Sequence, residues 1–336
     1  MHLPTGRGPL SHAIVAALRD EADVPRRLGV RDEDDFQLAL WILYELHYRG
    51  FDDVEDDQEW NPELLRVRAH LEAQLERRVR ERTRGLVEQA AALGGTVVDR
   101  LRFIADSEGA GLPTFLHREA DAQQWSEFLV TRSVYHLKES DPQAWVVPRV
   151  TGAVKAALVE LQYDEYGGGA AERVHQELFA DALRDAGLDA TYGAYLDQAP
   201  AHVLAVNNVM SLFGLHRRLR GAALGHLAAF EMTSSLPCRR YAQGAARLGL
   251  KGAEAYYDEH VEADAVHEQL ASRSICGALV EQEPELLDDV LLGAAACILL
   301  ERDSGEQMMS QWAEGRSALR GGPLPGLRND PELVGS

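Results

Sequence analysis

Apolar residues recur three and four positions apart over most of this sequence, and the strict alternation typical of β-strands is nearly absent. Because that spacing places apolar side chains on one face of a helix, the pattern predicts an all-α protein. We expect helices at about 33–47, 61–93, 122–137, 145–165, 171–186, 202–214, 218–234, 237–247, 251–282 and 285–315.

Prolines and glycines indicate where several of these helices begin or end. Pro142 and Pro148 bracket the entry to the helix at 145–165, and the triplet Gly167–Gly169 interrupts the chain after it. Gly187 is expected to end one helix, and Pro237 is expected to start another.

The size of the chain allows one large domain or two smaller ones. It has 336 residues, and 46% of them are hydrophobic, which is enough to bury a sizeable core. We expect an N-terminal helical region at 1–110, whose role the sequence does not reveal, and a main bundle at 111–320. The final residues, 321–336, are rich in glycine and proline and predict a flexible tail.

The charge and the cysteines exclude several classes of protein. A formal net charge of −20 argues against nucleic-acid and anionic-membrane partners, since both require clustered basic residues. The most apolar run, "DDVLLGAAACILLERD", is too short for a membrane span and predicts a buried helix. The N-terminus does not have the pattern of a signal peptide. Three scattered cysteines, Cys238, Cys276 and Cys297, predict buried thiols in a reducing cytoplasm.

The segment "YYDEHVEADAVHEQLAS" at 256–272 places two imidazoles and a carboxylate on one stripe of a predicted helix. His260, Asp264 and His267 lie four and then three residues apart, so all three point to the same side. Two imidazoles and a carboxylate form a good ligand set for a divalent transition metal. Several glutamates share the segment, so an exposed polar face is the alternative interpretation.

A second candidate segment surrounds the glycine triplet. Glu172 and His175 are three residues apart, a spacing that supplies ligands in di-iron carboxylate proteins. The triplet would let Glu165 point inward as well, or it is only a turn between exposed helices. Glu139, after the helix at 122–137, is a further candidate, although its position alone is more typical of an exposed carboxylate.

Together these segments resemble the heme-oxygenase-like di-iron oxidases and oxygenases, also described as iron-containing redox enzymes. The resemblance covers about 120–315 and includes "YHLKESDP" and "LQYDEYGGG". It implies a seven-helix bundle similar to heme oxygenase, with two iron ions in place of heme. The metal ligands that it implies are Glu139, Glu165, His175, His260, Asp264 and His267.

The resemblance leaves two further carboxylates open. Glu172 competes with Glu165 as the carboxylate that accompanies His175. Glu231, in "LAAFEMTSS", lies on an otherwise apolar helix face. It is either a further ligand, a group that supports the ligands, or a satisfied core carboxylate.

The resemblance also implies an activity. Members activate O2 through a peroxo di-iron species and oxidise a small amine- or carboxylate-bearing substrate by desaturation, C–C cleavage or N-oxygenation. An electron donor is then required, and a homodimer is compatible with such a bundle. If the substrate is an amino acid or fatty acid, Arg239 or Arg240 is a candidate anchor for its carboxylate. Surface salt bridges are the alternative role for these arginines.

Other functions fit the same predicted scaffold. A thiaminase-like hydrolase would be metal-free and would use a cysteine nucleophile, but no cysteine lies near the proposed ligands in the sequence. A heme oxygenase would need one proximal histidine and no carboxylates between His260 and His267. A metal-binding or helical scaffold protein without catalysis is the remaining alternative.

Overall fold

The computed structural model describes residues 1–24, 32–107 and 111–324, except for the side chains of 262–265. Within these ranges the chain forms helices and no β-strand, which confirms the all-α prediction. The helices are α1 Pro9–Leu18, α2 Glu33–Glu45, α3 Pro62–Ala92, α4 Val97–Ala105, α5 Gly111–Arg118, α6 Ala122–His136, α7 Asp141–Ala144, α8 Gly152–Glu165, α9 His175–Asp185, α10 Ala201–Leu215, α11 Arg220–Leu248, α12 Lys251–Gln269, α13 Ala278–Gln282 and α14 Leu287–Ala313. A π-helical segment, Leu270–Gly277, joins α12 to α13.

The N-terminal helices share a hydrophobic core with the later ones. Ile14 of α1 and Phe36 of α2 are fully buried in one cluster with Leu212 of α10, Ala228 of α11 and Ile298 of α14. Burial of apolar surface is the main favourable term in folding, so these helices stabilise one another. The domain boundary at residue 110 stays a prediction.

The longest apolar run forms the first half of α14. Val290, Leu291 and Leu292 are buried there, as the sequence predicts. Over the described ranges, none of the helices combines the length and the apolar character that crossing a membrane requires. Cys238, Cys276 and Cys297 are all buried.

Helices α11 and α14 cross with their backbones in direct contact. A Cβ atom on Gly225 of α11 would stand against the carbonyl oxygen of Val290, well inside contact distance. A Cβ atom on Gly293 of α14 would meet the carbonyl oxygen of Ala222 in the same way. Glycine is therefore required at both positions for this crossing.

We expect Gly225→Ala to lower the free energy of unfolding by about 3 kcal/mol, because the added methyl group forces two packed backbones apart. The matched control is Gly85→Ala in α3, where nothing lies within 4 Å of the added Cβ. That substitution should raise stability by about 0.5–1 kcal/mol. Urea unfolding followed by circular dichroism measures both, and equal effects would contradict the packing argument.

Helix α11 differs from the predicted pattern at Pro237. The sequence predicts a new helix at Pro237, but α11 runs through this residue without a break, so that prediction is wrong. An internal proline costs about 3 kcal/mol. Buried Cys238 and Tyr241 follow it and pack into the core, which offsets that cost. The sequence pattern does not predict α1, α4, α5 and α7, and the tail beyond residue 324 lies outside the described residues.

Candidate metal centre

Six buried side chains form two compact groups of potential metal ligands. The first group is Glu139, His175 and His260, and the second group is Glu165, Glu231 and His267. Within each group, one donor atom from each residue lies within 4.8 Å of the others. Buried carboxylates and imidazoles need compensating partners, so such groups are rarely without a role.

A glycine loop brings the two groups together. Glu165 is the last residue of α8, and His175 is the first residue of α9. Gly167 between them has φ of 75°, and a Cβ atom there would stand 2.6 Å from the backbone nitrogen of Val174. The loop can close this tightly only with glycine. As a result, His175 Nδ1 lies 3.2 Å from Glu165 Oε2, across the two groups.

Hydrogen bonds orient the first group. Tyr256 Oη donates to Glu139 Oε2 at 2.7 Å, and His260 Nδ1 donates to the Tyr256 carbonyl oxygen at 2.8 Å. Because Nδ1 of His260 is occupied by this bond, Nε2 is the ring nitrogen that faces the group and could bind a metal ion. That Nε2 lies 3.7 Å from Glu139 Oε1, too far for a hydrogen bond. An imidazole held in this way is typical of a metal ligand.

In the second group, two carboxylates face the same imidazole nitrogen. His267 Nδ1 lies 3.5 Å from Glu165 Oε1 and 3.6 Å from Glu231 Oε2. Its Nε2 lies 3.5 Å from Asp164 Oδ2, on the residue before Glu165. Asp164 can thus orient the ring from outside while Nδ1 points inward.

Carboxylates and imidazoles in these groups shift one another's pKa values. Burial alone would raise the pKa of Glu139, but His136 and His260 hold it below its usual range. Burial alone would lower the pKa of His260, yet Glu139 and Glu165 raise it to about 10. The pKa of Glu231 is raised by its burial and by the charge of Glu165. The groups therefore attract positive charge, and divalent cations would displace the protons.

Comparison with known proteins agrees with this geometry. Residues 126–302, more than half of the chain, match the model of a family described as iron-containing redox enzymes. The chain belongs to this family. All six residues of the two groups lie inside the matched range.

The chain is also similar to a curated protein over part of its length. The chain is 28% identical to a nitrosourea synthase of Streptomyces achromogenes subsp. streptozoticus over 166 residues, which is 49% of this chain. The aligned part is 34% of that protein, so the chain spans about a third of the length of the relative. As a member of the iron-containing redox enzymes, the chain is an oxidoreductase, and it has two candidate groups of Glu and His ligands for iron.

The structure brings together five of the six ligands that the resemblance implies. They are Glu139, Glu165, His175, His260 and His267. Asp264 lies on α12 between the two histidines, but its side chain is outside the described residues, so its role stays a prediction. Glu231, which the sequence left open, lies in the second group.

The structure separates Glu172 from both groups. The sequence places Glu172 and His175 on one helical face, but α9 begins only at His175, so this interpretation is wrong. Glu172 lies in a short turn, Ala171–Arg173, and is exposed. The extended backbone of Val174 breaks the helical register between them. Of the two competing carboxylates, Glu165 is the one beside His175.

The arginines that the sequence offered as anchors lie elsewhere on α11. Arg239 is exposed, and Arg240 is partly buried. Tyr256, one of several tyrosines that flank the proposed ligands in the sequence, contacts Glu139 through its hydroxyl. Asp164 was not assigned a contact from the sequence, and its only signal is that it precedes Glu165.

Helix α2 supports the turn at residues 137–140, which carries Glu139 and is called the Glu139 turn below. Lys138 in this turn is only 2% exposed, and its Nζ lies 3.2 Å from Glu45 Oε2 at the end of α2. The same ammonium lies 4.3 Å from the ring centre of Tyr48 and 4.9 Å from that of Trp41. A buried cation between a carboxylate and two aromatic faces is held firmly in place.

Hydrogen bonds fix the Glu139 turn on both sides. Arg49 Nη2 donates to the Leu137 carbonyl at 3.0 Å, and Gln176 Nε2 donates to the Glu139 carbonyl at 2.9 Å. Arg49 also donates to Gln176 Oε1 at 2.7 Å, so the two supports are linked. Ser140 has φ of 69°, a left-handed conformation that such contacts stabilise. The N-terminal region thus helps to position one of the candidate ligands.

Proposed function

We propose that this chain is a non-heme di-iron oxidase or oxygenase that uses O2 to oxidise a small substrate bearing an amine or a carboxylate. The observation that carries the proposal is the pair of three-donor groups, joined where Glu165 meets His175 at 3.2 Å. Two adjacent groups of donor atoms fit a site for two metal ions better than a site for a single ion.

The donor atoms fit iron. His260 Nε2 is buried and has no hydrogen-bond partner among the described residues, and buried His175 Nδ1 lies beside the Glu165 carboxylate without the alignment of a hydrogen bond. A buried nitrogen without a hydrogen bond destabilises the folded protein, and binding to a metal ion would satisfy it. Imidazole nitrogens together with carboxylate oxygens are ligands that iron accepts readily. The first group would hold one ion and the second group the other, with Asp264 as an expected additional ligand.

Two iron ions bound there would supply the electrons and the binding site with which O2 becomes an oxidant. The chain contributes charge balance, because the three carboxylates Glu139, Glu165 and Glu231 offset most of the charge of two Fe(II) ions. Tyr256 keeps Glu139 oriented through its hydrogen bond, and the Asp164 carboxylate lies 3.5 Å from His267 Nε2. All six residues of the two groups are buried, so the surrounding helices limit the access of water.

The proposal includes an external electron donor, because repeated reduction of O2 requires electrons beyond those stored in the centre. A reducing cytoplasm is the proposed location, since all three cysteines are buried small thiols. An amino acid or a fatty acid is the proposed kind of substrate.

The proposal is tested by purifying the protein without oxygen, loading it with Fe(II) and counting bound iron. We expect about two ions per chain, one for each group. We also expect O2 uptake that depends on the bound iron and disappears after chelation. A protein that retains no iron, or that binds one heme, would contradict the proposal.

A further inference from the structure

A cavity of about 70 Å³ lies between α6, α11, α12 and α14, beside the candidate metal centre. His136 forms part of its wall, and its ring centre lies 5.7 Å from that of Tyr256, which donates to Glu139. Phe230, the residue directly before Glu231, forms another part of the wall. The cavity therefore reaches side chains next to both groups.

A salt bridge forms a further part of this wall. Arg132 Nη1 donates to both carboxylate oxygens of Glu301, at 3.1 and 2.8 Å. Both bonds leave from one nitrogen, and Arg132 Nε and Nη2 have no hydrogen-bond acceptor in the described ranges. The same two residues line neighbouring cavities of about 30 and 100 Å³. The pair is thus reachable by a small molecule and retains unused donors.

A buried hydroxyl in the same wall has no partner. Tyr257 is 3% exposed, and its Oη makes no hydrogen bond to any described residue. Buried hydroxyl groups in folded proteins are nearly always hydrogen-bonded, so an exception requires an explanation. A polar ligand group in the cavity would satisfy this hydroxyl.

The charges of the wall discriminate between substrates. Burial lowers the pKa of His136 to about 4, so this ring is neutral at pH 7. The remaining charges are one guanidinium and one carboxylate, side by side. A fatty acid bound to Arg132 would place its carboxylate beside that of Glu301, and the two negative charges would repel each other. A simple amine bound to Glu301 would place its positive charge beside that of Arg132, which is unfavourable in the same way. An α-amino acid carries both charges on one carbon, so each charge meets its opposite.

The geometry points to this cavity as an amino-acid site, with the carboxylate of the ligand on Arg132, its ammonium group on Glu301, and its side chain directed past Tyr257 toward His136. As a substrate site, it rests on the proposed function, because the oxidation would occur at the end nearest Glu139. In this inference Arg132 anchors the substrate carboxylate instead of Arg239 or Arg240, neither of which lines the cavity.

The test is calorimetric binding of the common L-amino acids and of octanoate to the full chain, both metal-free and loaded with redox-inert Mn(II). At least one L-amino acid should bind with a Kd below about 1 mM. The methyl ester and the N-acetyl form of that amino acid should each bind at least about tenfold more weakly, since each lacks one of the two charges. Octanoate should not bind detectably.

Variants separate recognition from folding. The double variant Arg132→Gln with Glu301→Gln keeps the shape of the pair without its charges and should weaken binding at least about tenfold. Tyr257→Phe should weaken binding about three- to tenfold without lowering the melting temperature, because it removes a hydroxyl that has no partner in the free protein. Arg239→Gln should bind as the unmodified chain does.

Three results would overturn the inference: no L-amino acid binds at about 10 mM, octanoate binds more tightly, or the double variant binds normally. Failure of this inference is distinguishable from failure of the proposed function. Iron binding without amino-acid binding removes only the inference. If the metal-free protein binds an amino acid but takes up no iron, only the di-iron proposal fails.

Discussion

Glu165→Gln is expected to reduce bound iron from about two ions per chain to one or fewer, because Glu165 contacts both groups. Its Oε2 lies 3.2 Å from His175 Nδ1 and its Oε1 lies 3.5 Å from His267 Nδ1. The amide keeps the shape of the side chain but loses the charge and one donor oxygen. We expect the affinity for Fe(II) to fall on the order of a hundredfold. Equilibrium dialysis followed by a colorimetric iron assay measures the change.

The matched control for this prediction is Glu172→Gln, which makes the same change seven residues further along the chain. Glu172 is exposed and separate from both groups, so this variant should retain its iron. Circular dichroism should show unchanged helix content for both proteins. Loss of iron from Glu172→Gln, with iron retained by Glu165→Gln, would reverse the assignment of the ligand.

Glu45→Gln is expected to lower the free energy of unfolding by about 3–5 kcal/mol, because it leaves the buried ammonium of Lys138 without its carboxylate. Glu45 also accepts a hydrogen bond from Tyr192 Oη at 2.7 Å, which the amide can only partly replace. We expect weaker iron binding as well, since Lys138 precedes Glu139 in the same turn. Urea unfolding and iron titration measure the two effects.

A double-mutant cycle distinguishes the ion pair from general damage to α2. Adding Lys138→Met to Glu45→Gln removes the uncompensated charge and should recover at least about 2 kcal/mol. Glu63→Gln, in an exposed pair with Arg66, should change stability by less than about 1 kcal/mol. If the double variant were as unstable as Glu45→Gln alone, the buried pair would not be the cause.

Local spacing explains what the sequence could predict. His260 and His267 are on one helix, so the helical repeat alone places both on the same side. Glu165 and His175 are separated by a glycine loop, and its short length keeps the ends of α8 and α9 close together. Within such short stretches, the chain has few alternative arrangements.

Contacts between distant segments explain what the sequence could not predict. Glu231 reaches His267 only because α11 and α12 pack side by side, and nothing near Glu231 marks it as a partner of that histidine. The continuation of α11 through Pro237 likewise depends on core packing rather than on local preference. Glu45 and Lys138 lie 93 positions apart, so their pairing is visible only in the folded chain.

The support of the Glu139 turn by α2 limits how this enzyme can be shortened. The family match begins at residue 126, and a fragment cut there would contain every proposed ligand. It would lack Glu45 and Arg49, so Lys138 would lose its counterion and the Leu137 carbonyl would lose its donor. The family match therefore includes the proposed metal ligands but not every residue that a folded fragment needs. A shortened or fused version of this enzyme therefore has to include α2 and the residues after it as far as Arg49.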